Sequence, residues 1–341
     1  MPERTLVLRL IALMVLAHLA FSGMRLTLTL WAVARGMSPL GVGLMLSGLM
    51  VMPMLTAVSM GRWCDRVGFR PPVQRGLILI ATGGLLCAWA PHVAVMVLGS
   101  MMVGWGITMT QVAVTQAIAL TSGPQGATSG FAGMSVGFSF SGFVGPLLAG
   151  LVIDHASHGW AYLSVAWMPA VGLWMLRSLH VPASHTARPA RPADDDHAGR
   201  SLMSLGPIRS ALLTAAMVAL AWDLFNFFMP VHAAALGLSA TAIGALAATY
   251  SVGSLGIRAV LGHLADRVPA ARLLKAALGV TVLLFGLTPL ASGLPQLLAL
   301  ALLTGLILGA GQPLAMTLLH ENAPPGRAGE AIGMRSVIVS A

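Results

Sequence analysis

Residues 61–70 read GRWCDRVGFR, a short, charged and glycine-marked segment between two long apolar runs. A second segment, GHLADRV at residues 262–268, repeats the glycine and the Asp-Arg pair and is followed by Arg272. The glycines that open the two segments, Gly61 and Gly262, are 201 residues apart (262 − 61). This spacing predicts that the chain consists of two related halves, each with one copy of the segment at the same place.

The composition is that of an integral membrane protein. Of the 341 residues, 57% are hydrophobic and 9% are charged, whereas a soluble domain carries about 25% charged residues. The apolar runs are about 20 residues long, the length at which a helix crosses a bilayer. Transmembrane barrels would alternate in polarity instead. The predicted fold class is therefore an all-α polytopic membrane protein.

Ten membrane spans are predicted, separated by clusters of Gly and Pro such as Gly123-Pro124. Their bounds are 7–33, 40–60, 73–90, 93–119, 128–152, 159–179, 209–231, 240–261, 273–291 and 295–318. The first run follows Arg4 and Arg9, as in a signal peptide. It is longer than the apolar region of about 7–15 residues in such peptides, which predicts a retained first helix.

Basic residues fall in alternate loops. They gather at the N-terminus and after spans two, six, eight and ten, while the opposite loops hold little besides Arg35. By the positive-inside rule, this pattern predicts a cytoplasmic N-terminus. The expected location is the plasma membrane, of the bacterial inner-membrane type. The same loops account for the net charge of +9, so no nucleic-acid partner is predicted. Cys64 and Cys87 give no metal-site spacing, and no metal or cofactor is predicted.

The repeat extends beyond the opening segment. Gly104 matches Gly305, and Gln111 matches Gln312, at an offset of 201 residues. Paired bundles related by an axis along the membrane normal occur in transporters. The predicted domains are an N-terminal six-helix bundle at 1–180, a cytoplasmic linker at 181–208 and an incomplete C-terminal bundle at 209–341. By the same offset the sequence ends early in an eleventh span, which predicts a truncated second bundle.

Residues 61–70 resemble the signature that the major facilitator superfamily carries between its second and third spans. The matching residues are Gly61, Asp65, Arg66, Gly68 and Arg70, with Gly262, Asp266 and Arg267 as a weaker second copy. The resemblance implies two pseudo-symmetric six-helix bundles, the second incomplete, with ten full helices and the start of an eleventh. It also implies that Asp65 accepts hydrogen bonds at the N-terminus of span eleven, and that the arginines latch the outward-facing state.

A second match lies in span five. Gly137, Gly145, Pro146 and Gly150 resemble the Gly-Pro signature of the family's antiporters, many of which exchange drugs for protons. Small residues let helices approach closely and Pro bends a span, so ordinary packing is the alternative. Residues 100–104 read SMMVG and lack the Arg that such antiporters often carry in span four. This departure leaves the coupling ion open.

Polar side chains inside the spans indicate where a substrate would pass, because charges there usually face a bundle interior or a cavity. Arg25 and Asp223 lie in spans one and seven, with Asn226 one turn from Asp223, and Gln111 and Gln312 lie in spans four and ten. The resemblance implies that these four spans line a central cavity. We expect an Arg25–Asp223 pair across this cavity that takes part in transport. The alternatives are an ion pair with a structural role only, or an Arg25 that snorkels outward. For Gln111 and Gln312 the alternative is interhelical hydrogen bonding.

The tenth span is expected to be interrupted. Gly309, Gly311 and Pro313 flank Gln312, and helices broken in this way form binding sites in transporters.

Together these features predict a monomeric secondary transporter, not an enzyme, that moves a small-molecule substrate across the bilayer by alternating access. Export of amphipathic, drug-like compounds with proton antiport is the leading prediction. Uptake of a sugar or organic metabolite, and a truncated product that does not transport, are the alternatives. A membrane enzyme is weighed because residues 133–137 spell G-x-S-x-G, but that motif needs a strand-to-helix turn and here it begins a predicted membrane helix.

Overall fold

The computed structural model describes residues 3–89, 92–179, 205–265 and 267–322, and over these residues the chain is helical without a β-strand. The helices are α1 (Glu3–Ala34), α2 (Pro39–Val67), α3 (Arg70–Trp89), α4 (Val93–His155), α5 (His158–Arg177), α6 (Gly206–Ala235), α7 (Ala240–Ala265), α8 (Ala270–Leu287), α9 (Leu294–Leu308) and α10 (Gly311–Asn322). A 3₁₀ turn at Thr288–Leu290 follows α8. The predicted all-α fold is confirmed.

Ten stretches of these helices are long and apolar enough to cross a membrane, which agrees with the ten predicted spans. Helix α4 supplies two of them, Val93–Thr121 and Ser129–His155, and α9 and α10 share one, Leu294–Leu319. Of the predicted linker at 181–208, residues 181–204 lie outside the described residues, and so does the predicted start of an eleventh span.

Helix α4 reverses direction within its own length. The Thr115 hydroxyl lies 4.0 Å from the Met134 sulfur, whereas 19 residues of straight helix would separate them by about 28 Å. We call Val93–Thr121 the first arm of α4 and Ser129–His155 the second arm. The break expected at Gly123-Pro124 is thus a reversal inside a segment that keeps helical backbone.

The segment at 61–70 is mostly helical. The spans predicted at 40–60 and 73–90 imply a loop between them, and this expectation is wrong for residues 61–67. Helix α2 continues to Val67, and the chain turns only at Gly68, whose φ is 77°, a conformation that glycine adopts without strain. The N–H of Gly68 donates to the Cys64 carbonyl at 2.9 Å and closes the helix. Helix α2 continues past the end of the apolar run because no residue between 61 and 67 breaks its hydrogen bonding.

By its internal contacts the chain divides into two compact units. The first comprises Met1–Arg188 and Pro230–Ala248, and the second comprises Pro189–Met229 and Thr249–Ala341. The beginning of α7 therefore packs within the first unit. The core of the second unit is apolar and is built from α6, α8 and α10, with Val218, Leu274 and Leu314 among its buried residues. The division into bundles at 1–180 and 209–341 stays a prediction.

One helix crossing is repeated in both halves of the sequence. A Cβ atom on Gly104, in the first arm of α4, would collide with the backbone of Leu49 in α2. A Cβ atom on Gly305, in α9, would collide with the backbone of Tyr250 in α7. Both partners are offset by the same 201 residues (305 − 104 and 250 − 49). The repeat seen in the sequence is therefore also a repeat of backbone contacts.

We expect Gly104→Ala to destabilise the protein by about 1–3 kcal/mol, the usual cost of overpacking a close contact. Gly279→Ala in α8 is the matched control, because nothing lies within 4 Å of a Cβ atom there. Alanine favours helix over glycine, so the control should be neutral or slightly stabilising. Thermal unfolding of the purified variants in detergent measures both, and equal midpoints for the two would contradict the crossing.

Contacts within the first unit show which helix ends lie together. Helix α1 runs parallel to the second arm of α4, and α3 runs antiparallel to the first arm. For α1 and the second arm, the contacting pairs are Ile11–Gly133 and Ser22–Gly145. For α3 and the first arm, they are Gly76–Gly106 and Gly83–Gly99. The N-terminus and the turn at Gly68 therefore lie at the end where α4 reverses, which we call the Gly68 end. The end of the second arm lies at the opposite end of the unit.

Candidate transport site

Arg25 lies well inside α1, nine residues before its end at Ala34. Its Nε and Nη1 atoms are shielded from solvent. An arginine that snorkels to the membrane surface would expose these atoms. These two nitrogens do not snorkel to the surface, and a role of Arg25 in a substrate cavity stays a prediction.

Gln111 and Gln312 are both exposed at the protein surface, in the first arm of α4 and in α10. Gln111 lies about 15 Å from the end of its arm at Thr121, counted along the helix. At that depth an amide facing lipid would leave its hydrogen-bonding groups unsatisfied. An exposed Gln111 therefore fits a water-filled cavity better than the lipid face.

The predicted interruption of the tenth span is present. Helix α9 ends at Leu308 and α10 begins at Gly311. The Nε atom of Arg258, in α7, donates to the Gly309 carbonyl at 3.4 Å. This bond satisfies a backbone group that the break leaves without a helical partner, since the residue four positions on is Pro313, which has no N–H. Sequence reasoning did not include Arg258 among the site residues. A lone basic residue in the apolar helix α7 is the signal that could have indicated it.

Asp223 and Asn226 lie three residues apart on α6 in the second unit and are both partly buried. Residues at this spacing share one face of a helix. The Asn226 amide donates to the Trp222 carbonyl at 2.8 Å. Phe225 stacks on Tyr250 of α7 with ring centroids 4.4 Å apart, which fixes the rotation of α6. Arg25 belongs to the other unit, so the Arg25–Asp223 pair stays a prediction.

The glycines of the Gly-Pro signature bring the second arm of α4 into contact with two helices. Cβ atoms on Gly137 and Gly145 would collide with Val15 and Ser22 of α1, and one on Gly150 would collide with the Ala240 carbonyl of α7. The Pro146 carbonyl takes the corresponding place beside Gly244 of α7. In addition, the Ser22 hydroxyl donates to the Ser141 carbonyl at 3.0 Å. The signature thus forms a close crossing of backbones.

An acidic residue closes this crossing at the end of the second arm. Asp154 accepts two backbone hydrogen bonds from the first turn of α7, with Oδ1 at 3.0 Å from the Ala240 nitrogen and Oδ2 at 2.7 Å from the Thr241 nitrogen. The Ser239 hydroxyl accepts the next one, from Ala242 at 3.2 Å. A carboxylate is favoured there because N–H groups at a helix N-terminus carry partial positive charge. We call Asp154 with these two N–H groups the Asp154 clamp.

Sequence analysis missed Asp154. The chain has ten acidic residues, and this one follows the Gly-Pro signature directly and lies at the end of the unit opposite the basic Gly68 end. An acid at the end of a span, in a loop that the positive-inside pattern leaves without basic residues, is the signal that could have found it.

The latch expected at the Gly68 end stays a prediction. Asp65 lies in the last turn of α2, but its side chain and the predicted span eleven are outside the described residues. Gly61 lies in the same helix with open space beside it, and Arg66 and Arg70 are exposed. In the second copy, Gly262 lies in α7, Arg267 is exposed just beyond it, and Asp266 is outside the described residues.

Over the described residues, ten apolar helical spans, a helix crossing repeated at a fixed offset and a broken tenth span are the features of a polytopic membrane protein of the transporter type. The chain belongs to the Major Facilitator Superfamily, whose family model matches residues 10–341. The family consists of transporters, so the chain is a transporter homologue and not an enzyme, with small molecules as substrates and the lipid bilayer as its surroundings.

Two relatives show the range of this similarity. The chain is 27% identical over 317 residues to a Deinococcus radiodurans protein provisionally named a sugar efflux transporter, covering 87% of this chain and 78% of that protein. It is 26% identical over 287 residues to monocarboxylate transporter 13 of Bos taurus, covering 81% of this chain and 65% of that protein. The chain thus spans slightly less than two thirds of the bovine relative's length.

Solved structures show the same fold. A bacterial homologue of the human lysosomal transporter Spinster superposes with a TM-score of 0.79 at 16% identity, covering 99% of this chain and 80% of that one. The nucleoside transporter NupG superposes with a TM-score of 0.81 at 13% identity, covering 98% of this chain and 88% of that one. At these identities the likeness concerns the fold alone.

Proposed function

We propose that this protein is a secondary active transporter that exports small amphipathic molecules by alternating access in exchange for protons. The Asp154 clamp carries this proposal. Transport by alternating access needs a contact that closes one end of the protein and then opens. The clamp consists of two hydrogen bonds to an exposed carboxylate, beside a crossing in which Gly150 and Gly244 lie directly against backbone atoms of the facing helix.

The strength of the clamp suits a contact that breaks in every cycle. A carboxylate at an exposed helix N-terminus contributes about 0.3–1 kcal/mol. That is enough to bias two states whose energies differ by a few kcal/mol, and too little to lock one of them. Asp65 and the basic residues around it are proposed to perform the corresponding task at the Gly68 end, in the other state of the cycle.

Export and proton exchange rest on separate observations. The Gly-Pro signature in the second arm of α4 resembles that of the family's antiporters, and one relative is provisionally named for sugar efflux. Asp223 is the acidic residue of α6 and is the proposed proton carrier, because acidic residues within membrane spans are energetically costly and mark proton or substrate pathways. The plasma membrane, a cytoplasmic N-terminus and a monomer complete the proposal.

A second candidate is transport of an organic acid or a sugar in either direction. Arg25 favours an acid, because a cation shielded from solvent could bind a substrate carboxylate through paired hydrogen bonds. The name of the bovine relative agrees with this substrate class.

Everted membrane vesicles test these functions together, because an exporter accumulates its substrate inside them. Vesicles with the full chain and vesicles without it are energised to form a pH gradient and are given ethidium, radiolabelled glucose or radiolabelled lactate. We expect uptake of ethidium that a protonophore abolishes. Uptake of lactate or glucose alone would overturn drug export in favour of the second candidate. If vesicles that hold folded protein take up none of the three probes, export of all three classes of substrate is contradicted.

A further inference from the structure

A groove of about 510 Å³ lies between α2, α3 and the first arm of α4. It is separate from the candidate transport site, whose residues Gln111 and Arg25 are not among those that line it. Most of its wall is apolar and includes Met60, Leu79 and Met109. We call it the α2–α3 groove.

The groove opens on a surface that faces the acyl chains of the membrane. Ile78 lines it and is 42% exposed, and Leu55, one residue from the groove-lining Thr56, is 71% exposed. Large apolar side chains exposed on membrane-crossing helices contact lipid. A molecule that reaches the groove from the side therefore comes from the bilayer and not from water.

One of the residues that line the groove is cationic. The Arg75 guanidinium lies 4.9 Å from the centroid of the Trp63 ring, and both residues line the groove. Arg75 is five residues into α3, so it lies about 7 Å from the Gly68 end of that helix. Arg62, Arg66 and Arg70 are exposed nearby. Basic groups between helices at this depth bind anionic lipid headgroups.

A buried donor lies deeper in the same groove. The Trp105 Nε1 atom is shielded from solvent and has no hydrogen-bond partner among the described residues. A buried indole N–H normally finds an acceptor. Since Gly76 packs beside Gly106 and Gly83 beside Gly99, α3 and the first arm run antiparallel, and Trp105 lies about two residues deeper than Arg75, roughly 3 Å along the helix axis. A cation with a donor just below it matches the phosphate and an ester carbonyl of one phospholipid.

We infer that the α2–α3 groove binds one anionic glycerophospholipid. Its phosphate accepts hydrogen bonds from Arg75, an ester carbonyl accepts the Trp105 Nε1–H, and an acyl chain covers Met60, Ile78 and Leu79. A zwitterionic lipid fits less well, because its positively charged headgroup would lie among the arginines of the Gly68 end. The inference requires only that the chain lies in a membrane, so it stands or falls separately from transport.

Native mass spectrometry of the full chain with equal amounts of phosphatidylglycerol and phosphatidylcholine tests the headgroup. We expect one phosphatidylglycerol to be retained preferentially, and Arg75→Gln to lower this preference about tenfold, because it removes a charge-assisted hydrogen bond. Arg35→Gln is the matched control, since it removes the same charge from an exposed position just after α1, at the end of the unit opposite the groove's arginines. Its preference should stay within about threefold of wild type, because solvent screens an exposed charge. Equal losses in the two variants would overturn the site.

Quenching by lipids brominated in the acyl chain tests the groove itself and does not depend on detergent. In nanodiscs, brominated phosphatidylglycerol should quench tryptophan fluorescence more than brominated phosphatidylcholine does. The excess should disappear in a Trp63→Phe/Trp105→Phe variant and persist in Trp167→Phe, a control residue on α5 that is 71% exposed. An excess that survives the double replacement, or equal quenching by the two lipids in the wild type, would contradict the inference.

Discussion

Replacing Asp223 by Asn should reduce transport driven by a pH gradient by about 100-fold or more, because the proposed proton carrier would be gone. Asp223 lies twelve residues before the end of α6 at Ala235, or about 18 Å along the helix. A charged acid at such depth costs about 2.5–3.5 kcal/mol. Asn keeps the size and the polarity of the side chain but cannot exchange a proton.

Substrate counterflow, which needs no net proton movement, separates the two roles considered for Asp223. A carrier role predicts that counterflow persists in Asp223→Asn while gradient-driven uptake is lost. A structural ion pair with Arg25 predicts that both fall together with the yield of folded protein. Asp223→Glu restores a titratable group at the same position and should recover gradient-driven uptake. Undiminished uptake in Asp223→Asn would show that another group carries the proton.

Replacing Asp154 by Ala should open the end of the protein that the Asp154 clamp is proposed to close. The variant loses both hydrogen bonds to the first turn of α7 and the attraction between a carboxylate and a helix N-terminus. A loss of about 1 kcal/mol corresponds to about a fivefold shift in the equilibrium between the two states. Asp154→Asn keeps one acceptor and should give a smaller shift.

Spin labels on Leu151→Cys and Leu236→Cys report this opening, since both positions are exposed within the first unit. Among the described residues the native cysteines, Cys64 and Cys87, are buried. Double electron–electron resonance should show a longer distance gaining population in Asp154→Ala. Ser38→Ala is the matched control, because it removes one hydrogen bond that caps a helix, to Gly41 of α2, and leaves the bonds between Asp154 and α7 in place. Identical distance distributions in Asp154→Ala and wild type would rule out a gating role.

Features that depend on sequence period and spacing could be predicted. The ten spans follow from the length of the apolar runs, because a bilayer imposes one length on every helix that crosses it. The repeat followed from matches at one offset, and the Gly104–Leu49 and Gly305–Tyr250 crossings show that offset as repeated backbone contacts. The helix break near Gln312 followed from its flanking glycines.

Features that depend on a distant partner could not be predicted. The Asp154 clamp joins residues 86 and 87 positions apart, and nothing local to Asp154 indicates which helix N-terminus it meets. The hydrogen bond of Arg258 depends on the position of Gly309, 51 residues away. Helix α2 is longer than its predicted span for a different reason. Hydropathy marks where a helix leaves the bilayer, whereas the hydrogen bonding of α2 continues to Val67.

The central claim is that one end of the protein closes while the other opens, and accessibility of Gln111→Cys to a membrane-impermeant maleimide tests it most directly. Gln111 is exposed on the first arm of α4, nearer the Gly68 end of the first unit than the end at which the Asp154 clamp lies. Right-side-out and everted vesicles present the two ends to the reagent separately. With the clamp intact, the cysteine should react from the Gly68 end, and in Asp154→Ala reactivity should move towards the opposite end. Reaction from one end that is the same in both proteins, or equal reaction from both ends, would contradict alternating access governed by the clamp.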